Sequence, residues 1–130
     1  MKYIQIGKSE LKVSQICLGT MTMGVQNNIE QSKEIMDYAF DNGINFFDTA
    51  EQYPSPSTKD LYGVTERIIG EWLKKKKVRK NIVIATKMSG PGVPWIRGGG
   101  LQYDIKNIKK AVDDSLKRLN IDYIDLYQLH

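Results

Sequence analysis

At 130 residues, with 41% hydrophobic and 26% charged side chains, the chain has the composition of one soluble globular unit, which excludes a disordered chain. Lys and Arg outnumber Asp and Glu by 19 to 15, and the net charge of +4 favours solubility without singling out a partner class. A single cysteine, Cys17, excludes an internal disulfide, and a single histidine, His130, excludes a histidine cluster around a metal. The opening MKYIQIGKSELKVSQICLG lacks the long apolar region of a secretory leader, and no later stretch approaches the roughly 20 apolar residues of a membrane helix. A cytoplasmic chain that engages no membrane is expected.

A short hairpin comes first. Tyr3, Ile4 and Ile6 run out, Gly7-Lys8-Ser9-Glu10 turns, and Leu11 and Val13 return. Ser14 to Gly19 is a short, largely apolar strand, followed by the loop Thr20-Met21-Thr22-Met23-Gly24. A first helix places Ile35, Met36, Ala39 and Phe40 on one face, with Asn28 and Gln31 as a capping box and Gly43 as its stop. Gly43 to Thr49 reads as a buried-strand run ending on Asp48, and a Pro- and Ser-containing loop runs from Ala50 to Gly63. Thr65, Ile68, Ile69, Trp72 and Leu73 mark a second helix. Asn81 to Lys87 is the next strand, and Ser89 to Gly100 is too rich in Gly and Pro for regular structure. Asp104 caps a third helix with Ile105, Ile108, Val112, Leu116 and Leu119 as its apolar face, and Asn120 ends it. IDYIDLYQLH is the last strand.

The order strand, loop, helix, strand, repeated without tight hairpin turns after the first, implies βαβ units and an α/β fold with a parallel sheet. The strand ends at Gly19, Asp48, Lys87 and His130 recur at roughly 30 to 43 residues, against about 31 per unit in a TIM barrel of about 250 residues. A doubly wound sheet has similar spacing but more often carries a G-x-G-x-x-G turn after its first strand, and LGTMTMG is not one. The barrel is favoured over that alternative.

Asp48, Tyr53, Lys87 and His130 would gather at one rim of such a sheet, the rim where these folds place active sites. Singly, each has a plain structural reading: a strand-end cap, a solvated tyrosine, a surface lysine, a terminal residue. Together they make a chemical unit. A carboxylate compensates the lysine, and a lysine's charge beside a tyrosine hydroxyl favours phenolate, which suits a general acid. An imidazole can hydrogen-bond a carbonyl oxygen. Hydride addition to an aldehyde or ketone needs such a site.

GTMTMG after the first strand, GINFFDTAEQYPSPS with GVTERIIGEWL, then IATK, and finally SLKRLNIDYIDLYQLH resemble the aldo-keto reductases, particularly their bacterial Tas-like branch. The resemblance runs from the opening hairpin to the last residue. It implies a (β/α)8 barrel, of which this chain supplies the hairpin and roughly the first four strands and three helices, and an NADP(H)-dependent reduction of small carbonyls. By that resemblance Tyr53 is the general acid, Lys87 and Asp48 its tuning pair, and His130 orients substrate. Gly19, Thr20, Met21 and Asp48 lie beside the nicotinamide ribose, and NADPH over NADH rests on the resemblance alone. A non-catalytic, cofactor-binding regulatory subunit of the same fold is the alternative, and an inactive fragment is a third.

The expected domain is therefore residues 1–130 as the N-terminal half of one barrel, truncated after strand four. A half barrel leaves strand edges unpaired, so self-association through those edges, or lack of activity alone, is expected. Trp95 in the Ser89 to Gly100 loop reads as an apolar substrate wall or as part of a plain surface loop. Lys74 to Lys80 (KKKKVRK) sits at a helix end, where cations suit the dipole, so no nucleic-acid partner is expected. Met21 and Met23 line the cofactor or fill packing gaps, and Cys17 reads as a small core residue.

Overall fold

The computed structural model describes residues 1–100 and 103–130. Strands β1 (Tyr3–Gln5) and β2 (Lys12–Ser14) pair antiparallel, with Tyr3 opposite Ser14 and Gln5 opposite Lys12. The hairpin is pinned to the segment that follows the first helix, at Gly43 and Asn45. The Ser14 N–H donates to Asn45 Oδ1 at 2.7 Å, the Asn45 N–H donates to Ser14 Oγ at 3.1 Å, and the Tyr3 hydroxyl donates to the Gly43 carbonyl at 2.9 Å.

The rest alternates: β3 (Leu18–Gly19), α1 (Ile29–Asp41), β4 (Phe46–Asp48), α2 (Val64–Lys76), β5 (Val83–Met88), α3 (Ile105–Leu119) and β6 (Leu126–Leu129). The four later strands form one parallel sheet in the order β3-β4-β5-β6. Each strand therefore sits beside the one before it, as successive βαβ units require. Side chains alternate across the sheet. Phe47 and Ile84 point into the helices, while Asp48 and Lys87 occupy the opposite face at the strand ends. Among the described residues, no helix is long and apolar enough to cross a membrane.

The core lies between sheet and helices. Met36 and Ala39 of α1, Ile68, Ile69, Trp72 and Leu73 of α2 and Leu119 of α3 close over Phe47 and Ile84. The Trp72 ring stacks on Phe47 with centroids 5.4 Å apart, and its indole N–H donates to Asp37 at 3.0 Å. All five α2 positions expected to face inward are buried.

Local signals set the helix ends. Asn28 caps α1 by accepting from the Gln31 N–H, and the Gln31 side chain accepts from the Asn28 N–H. Replacing Asn28 with Ala should lower stability by about 1 kcal/mol, read as a lower denaturant midpoint with unchanged slope. Asp104 caps α3, and Asn120 ends it in the left-handed region at φ +53°.

Several expectations are corrected. Ile35 is exposed, because the inward line of α1 runs through Ser32, Met36 and Ala39. Ile105 is also exposed, and Ile108, Val112 and Leu116 are only half-buried; the fully buried line of α3 is Ala111, Ser115 and Leu119. The cause is close helix packing. A Cβ on Gly70 of α2 would stand 2.5 Å from the Leu119 carbonyl oxygen, so the two helices meet closely there. The strands are shorter than their apolar runs. β6 begins only at Leu126, because Asp125 before it accepts from the Ile84 N–H and from Arg79. Cys17 is exposed rather than in the core, since it precedes β3 and shares the uncovered face with Gly19.

Candidate active site

The site begins where β4 ends. Beyond Asp48 the chain keeps bonding along β5: the Thr49 N–H donates to Ala85 O at 2.9 Å and the Glu51 N–H to Lys87 O at 3.2 Å. A turn closed by the Tyr53 N–H on Ala50 O then brings the Tyr53 ring back over the rim, where it is buried. Lys87, near the end of β5, meets it. Its ammonium donates to Asp48 Oδ2 at 2.6 Å and to the Thr49 carbonyl at 2.7 Å, and lies 3.4 Å from the Tyr53 hydroxyl. Asp48 Oδ1 accepts from Gln128 Nε2 at 3.1 Å.

His130 follows β6, its N–H donating to Met88 O at 3.0 Å, and its ring meets Tyr53 edge to face with centroids 5.8 Å apart. Partial desolvation first, and the Lys87 ammonium second, hold its imidazole below the usual 6.5. His130 is therefore expected to be neutral at pH 7, with an NMR titration midpoint below that of a free histidine. The folded state then binds this proton less tightly than the unfolded chain does. The stability linked to His130 is present above about pH 6.5 and lost as pH falls through the lower folded value.

All four residues expected at the rim are thus brought together. Thr20 lies beside them, buried, with its N–H and hydroxyl both donating to the Asp48 carbonyl at 3.1 and 2.9 Å. Gly19 and Met21 are exposed on either side of it. Met23 is a core residue rather than a rim residue. Trp95 stands 38% exposed in the loop after β5, and no ring contact among the described residues joins it to Tyr53 or His130. Cys17 opens to solvent, yet desolvation of its thiol, reinforced by Asp48, pushes it up to about 11, so it is no ready nucleophile. Among the described residues, no group of three or more His, Cys, Asp or Glu is placed to hold a metal.

Sequence reasoning missed two features. One is Gln128, which shares a strand face with His130 two residues on and could have been found from that alternation. The other is a buried charge network behind the rim. Glu51 and Glu66, both fully buried, are held by Arg97 and Arg118: both Arg97 Nη atoms bond the Glu51 carboxylate, and Arg118 Nε donates to Glu66 Oε2 at 2.6 Å. Thr86 donates to Glu66 Oε1 at 2.7 Å, and Arg118 lies 3.8 Å from Glu51.

A parallel sheet with helices on one face and a Tyr-Lys-Asp-His cluster at its strand ends defines a barrel-type α/β protein with a polar rim. The Aldo/keto reductase family model matches residues 15–130, and the chain belongs to that family, whose fold is the TIM barrel. Protein tas of Escherichia coli is 46% identical over the whole of this chain, which covers 38% of that protein. The uncharacterized oxidoreductase YrpG of Bacillus subtilis is 41% identical, with 40% of it covered. A protein described as a probable voltage-gated potassium channel subunit beta of Arabidopsis thaliana is 38% identical, with 37% covered. Among solved structures, the aldo-keto reductase AKR11C1 from Bacillus halodurans, in a holo form, superposes with a TM-score of 0.82 at 38% identity, covering all of this chain and 40% of that one. The chain thus spans about two-fifths of the length of these relatives.

Proposed function

We propose that the rim formed by Asp48, Tyr53, Lys87 and His130 belongs to an NADPH-dependent reduction of aldehydes or ketones to alcohols, with Tyr53 as general acid. The observation that carries this reading is the Lys87 ammonium, in contact with Asp48 at 2.6 Å and 3.4 Å from the Tyr53 hydroxyl, with the His130 imidazole against the same tyrosine ring. A nicotinamide fits beside it. Gly19 is exposed and nothing lies within 4 Å of where its Cβ would stand, so a flat ring can lie close to the backbone there, flanked by Thr20, Met21 and Asp48. When bound, a reduced nicotinamide would supply the hydride with its electron pair.

The protein's own residues account for the proton. As the carbonyl carbon is reduced, its oxygen takes the hydroxyl proton of Tyr53. Lys87 stabilises the phenolate left behind by charge; Asp48 and the Thr49 carbonyl hold that ammonium in place, and Gln128 in turn holds Asp48. A neutral His130 offers an N–H to the same carbonyl oxygen and so fixes which way the substrate faces. Trp95 supplies an apolar wall for the substrate.

The similarity to a potassium channel subunit beta favours a second reading, in which the cofactor is bound without turnover and the protein acts through a partner. Incubating the protein with NADPH and a small aldehyde separates the two. Consumption of NADPH matched by alcohol supports the reductase, binding without consumption supports the regulatory subunit, and neither binding nor consumption overturns both.

A further inference from the structure

We infer that Glu51 is a positioning residue whose buried carboxylate clamps the loop after β4, which carries Tyr53, to the loop after β5, which carries Trp95. Glu51 lies two residues before Tyr53, and its own N–H is fastened to Lys87 O at 3.2 Å, so its backbone is fixed to β5. Its side chain reaches both ends of the other loop. At the near end the Ser89 N–H donates to Glu51 Oε1 at 2.5 Å, and the Ser89 hydroxyl donates to the neighbouring Gln52 Oε1 at 2.8 Å. At the far end Arg97 grips both carboxylate oxygens with both of its terminal nitrogens. Trp95 lies between these two anchors.

Three further observations point the same way. Arg97 holds φ at +47°, a left-handed conformation that an arginine adopts only when its surroundings hold it there. The carboxylate is fully buried and is satisfied there by Arg97 and the Ser89 amide, with Arg118 at 3.8 Å. Gly90 passes so close to the end of β6 that a Cβ there would stand 2.7 Å from the His130 carbonyl oxygen, which brings the clamped loop against the same rim. The loop's own bonds, from Gly92 N–H to Gly99 O at 2.8 Å and from Ile96 N–H to Val93 O at 2.9 Å, make it one compact unit for the clamp to hold. The consequence for substrate rests on the carbonyl-reductase reading; the clamp itself does not.

Amide hydrogen exchange tests the clamp without any activity. In Glu51→Gln the amides of Ser89, Gly92, Ile96 and Gly99 should exchange about tenfold faster or more, while those of Met36 in α1 and Ile69 in α2 keep their rates. Arg97→Asn, which tolerates the left-handed backbone but lacks the guanidinium, should reproduce this pattern, and the double variant should exchange no faster than either single one. Unchanged exchange in the loop, acceleration spread through α1 and α2, or additive single effects would overturn the clamp. In turnover of a carbonyl, Glu51→Gln should raise KM about tenfold while kcat stays within about threefold, because the loop loosens and the Tyr53 hydroxyl remains. A fall in kcat with KM unchanged would instead place Glu51 in the chemistry and overturn its positioning role. If the parent protein turns over no carbonyl, the reductase reading fails, and the exchange rates still decide the clamp.

Discussion

Replacing Tyr53 with Phe is expected to lower turnover by about 10² to 10⁴-fold while leaving NADPH affinity nearly unchanged. The substitution removes one oxygen and keeps the ring, which packs against His130 at 5.8 Å and lies 4.9 Å from the Lys87 ammonium. What is lost, on the proposed reading, is the proton donor, felt only as charge develops on the carbonyl oxygen. The corresponding rise in barrier is about 3 to 5 kcal/mol. On the proposed reading the hydroxyl acts in the transition state, so kcat and kcat/KM should fall together. Steady-state kinetics beside a fluorescence titration of NADPH check both halves. A loss below about tenfold would mean that water or His130 supplies the proton. A parallel loss of NADPH binding would make Tyr53 a cofactor contact instead.

Replacing Arg118 with Met is expected to cost about 3 to 5 kcal/mol of folding stability, because it strands a buried carboxylate. Glu66 is fully buried and Arg118 nearly so; they meet at 2.6 Å, and Arg118 also donates to the Tyr62 hydroxyl and to Ser115 Oγ, each at 3.1 Å. Methionine keeps most of the stem and none of the charge. Among the described residues, Glu66 would retain the Thr86 hydroxyl as its side-chain partner. Adding Glu66→Gln should return a large part of the loss, since the uncompensated charge is then gone. Chemical denaturation of the single and the double variant measures this. A single-variant loss under about 1 kcal/mol, the level of an exposed ion pair, would show that the network stays hydrated.

Much of the fold was legible because local signals and burial agreed. α2 is the clearest case: Ile68, Ile69, Trp72 and Leu73 stand at helical spacing, and all four are in the core. The Asn28 and Gln31 pair and the Asn120 stop were legible for the same reason, since a cap is a property of a few neighbouring residues. α3 was misjudged in part because periodicity marks the large apolar side chains, whereas its fully buried line includes the small residues Ala111 and Ser115 beside Leu119. Ile105 and Cys17 were misplaced because each lies at an element's end, where periodicity says least.

The rim was legible for a topological reason. In a parallel sheet every strand end arrives at the same edge, so Asp48, Lys87 and His130 converge although they lie far apart in the chain. The network behind it was not legible. Glu66 and Arg118 are 52 residues apart, Glu51 and Arg97 are 46 apart, and nothing local distinguishes a carboxylate that will be buried from one that will be solvated.

The most direct test of the account follows the hydride itself. With NADPH deuterated at the transferring position of its nicotinamide ring and a small aldehyde, the alcohol should carry one deuterium on its carbinol carbon by mass spectrometry. The label should all but vanish with Tyr53→Phe. Bound NADPH without labelled alcohol, or labelled alcohol formed equally well without the Tyr53 hydroxyl, would contradict the claim that this rim reduces carbonyls through a tyrosine proton.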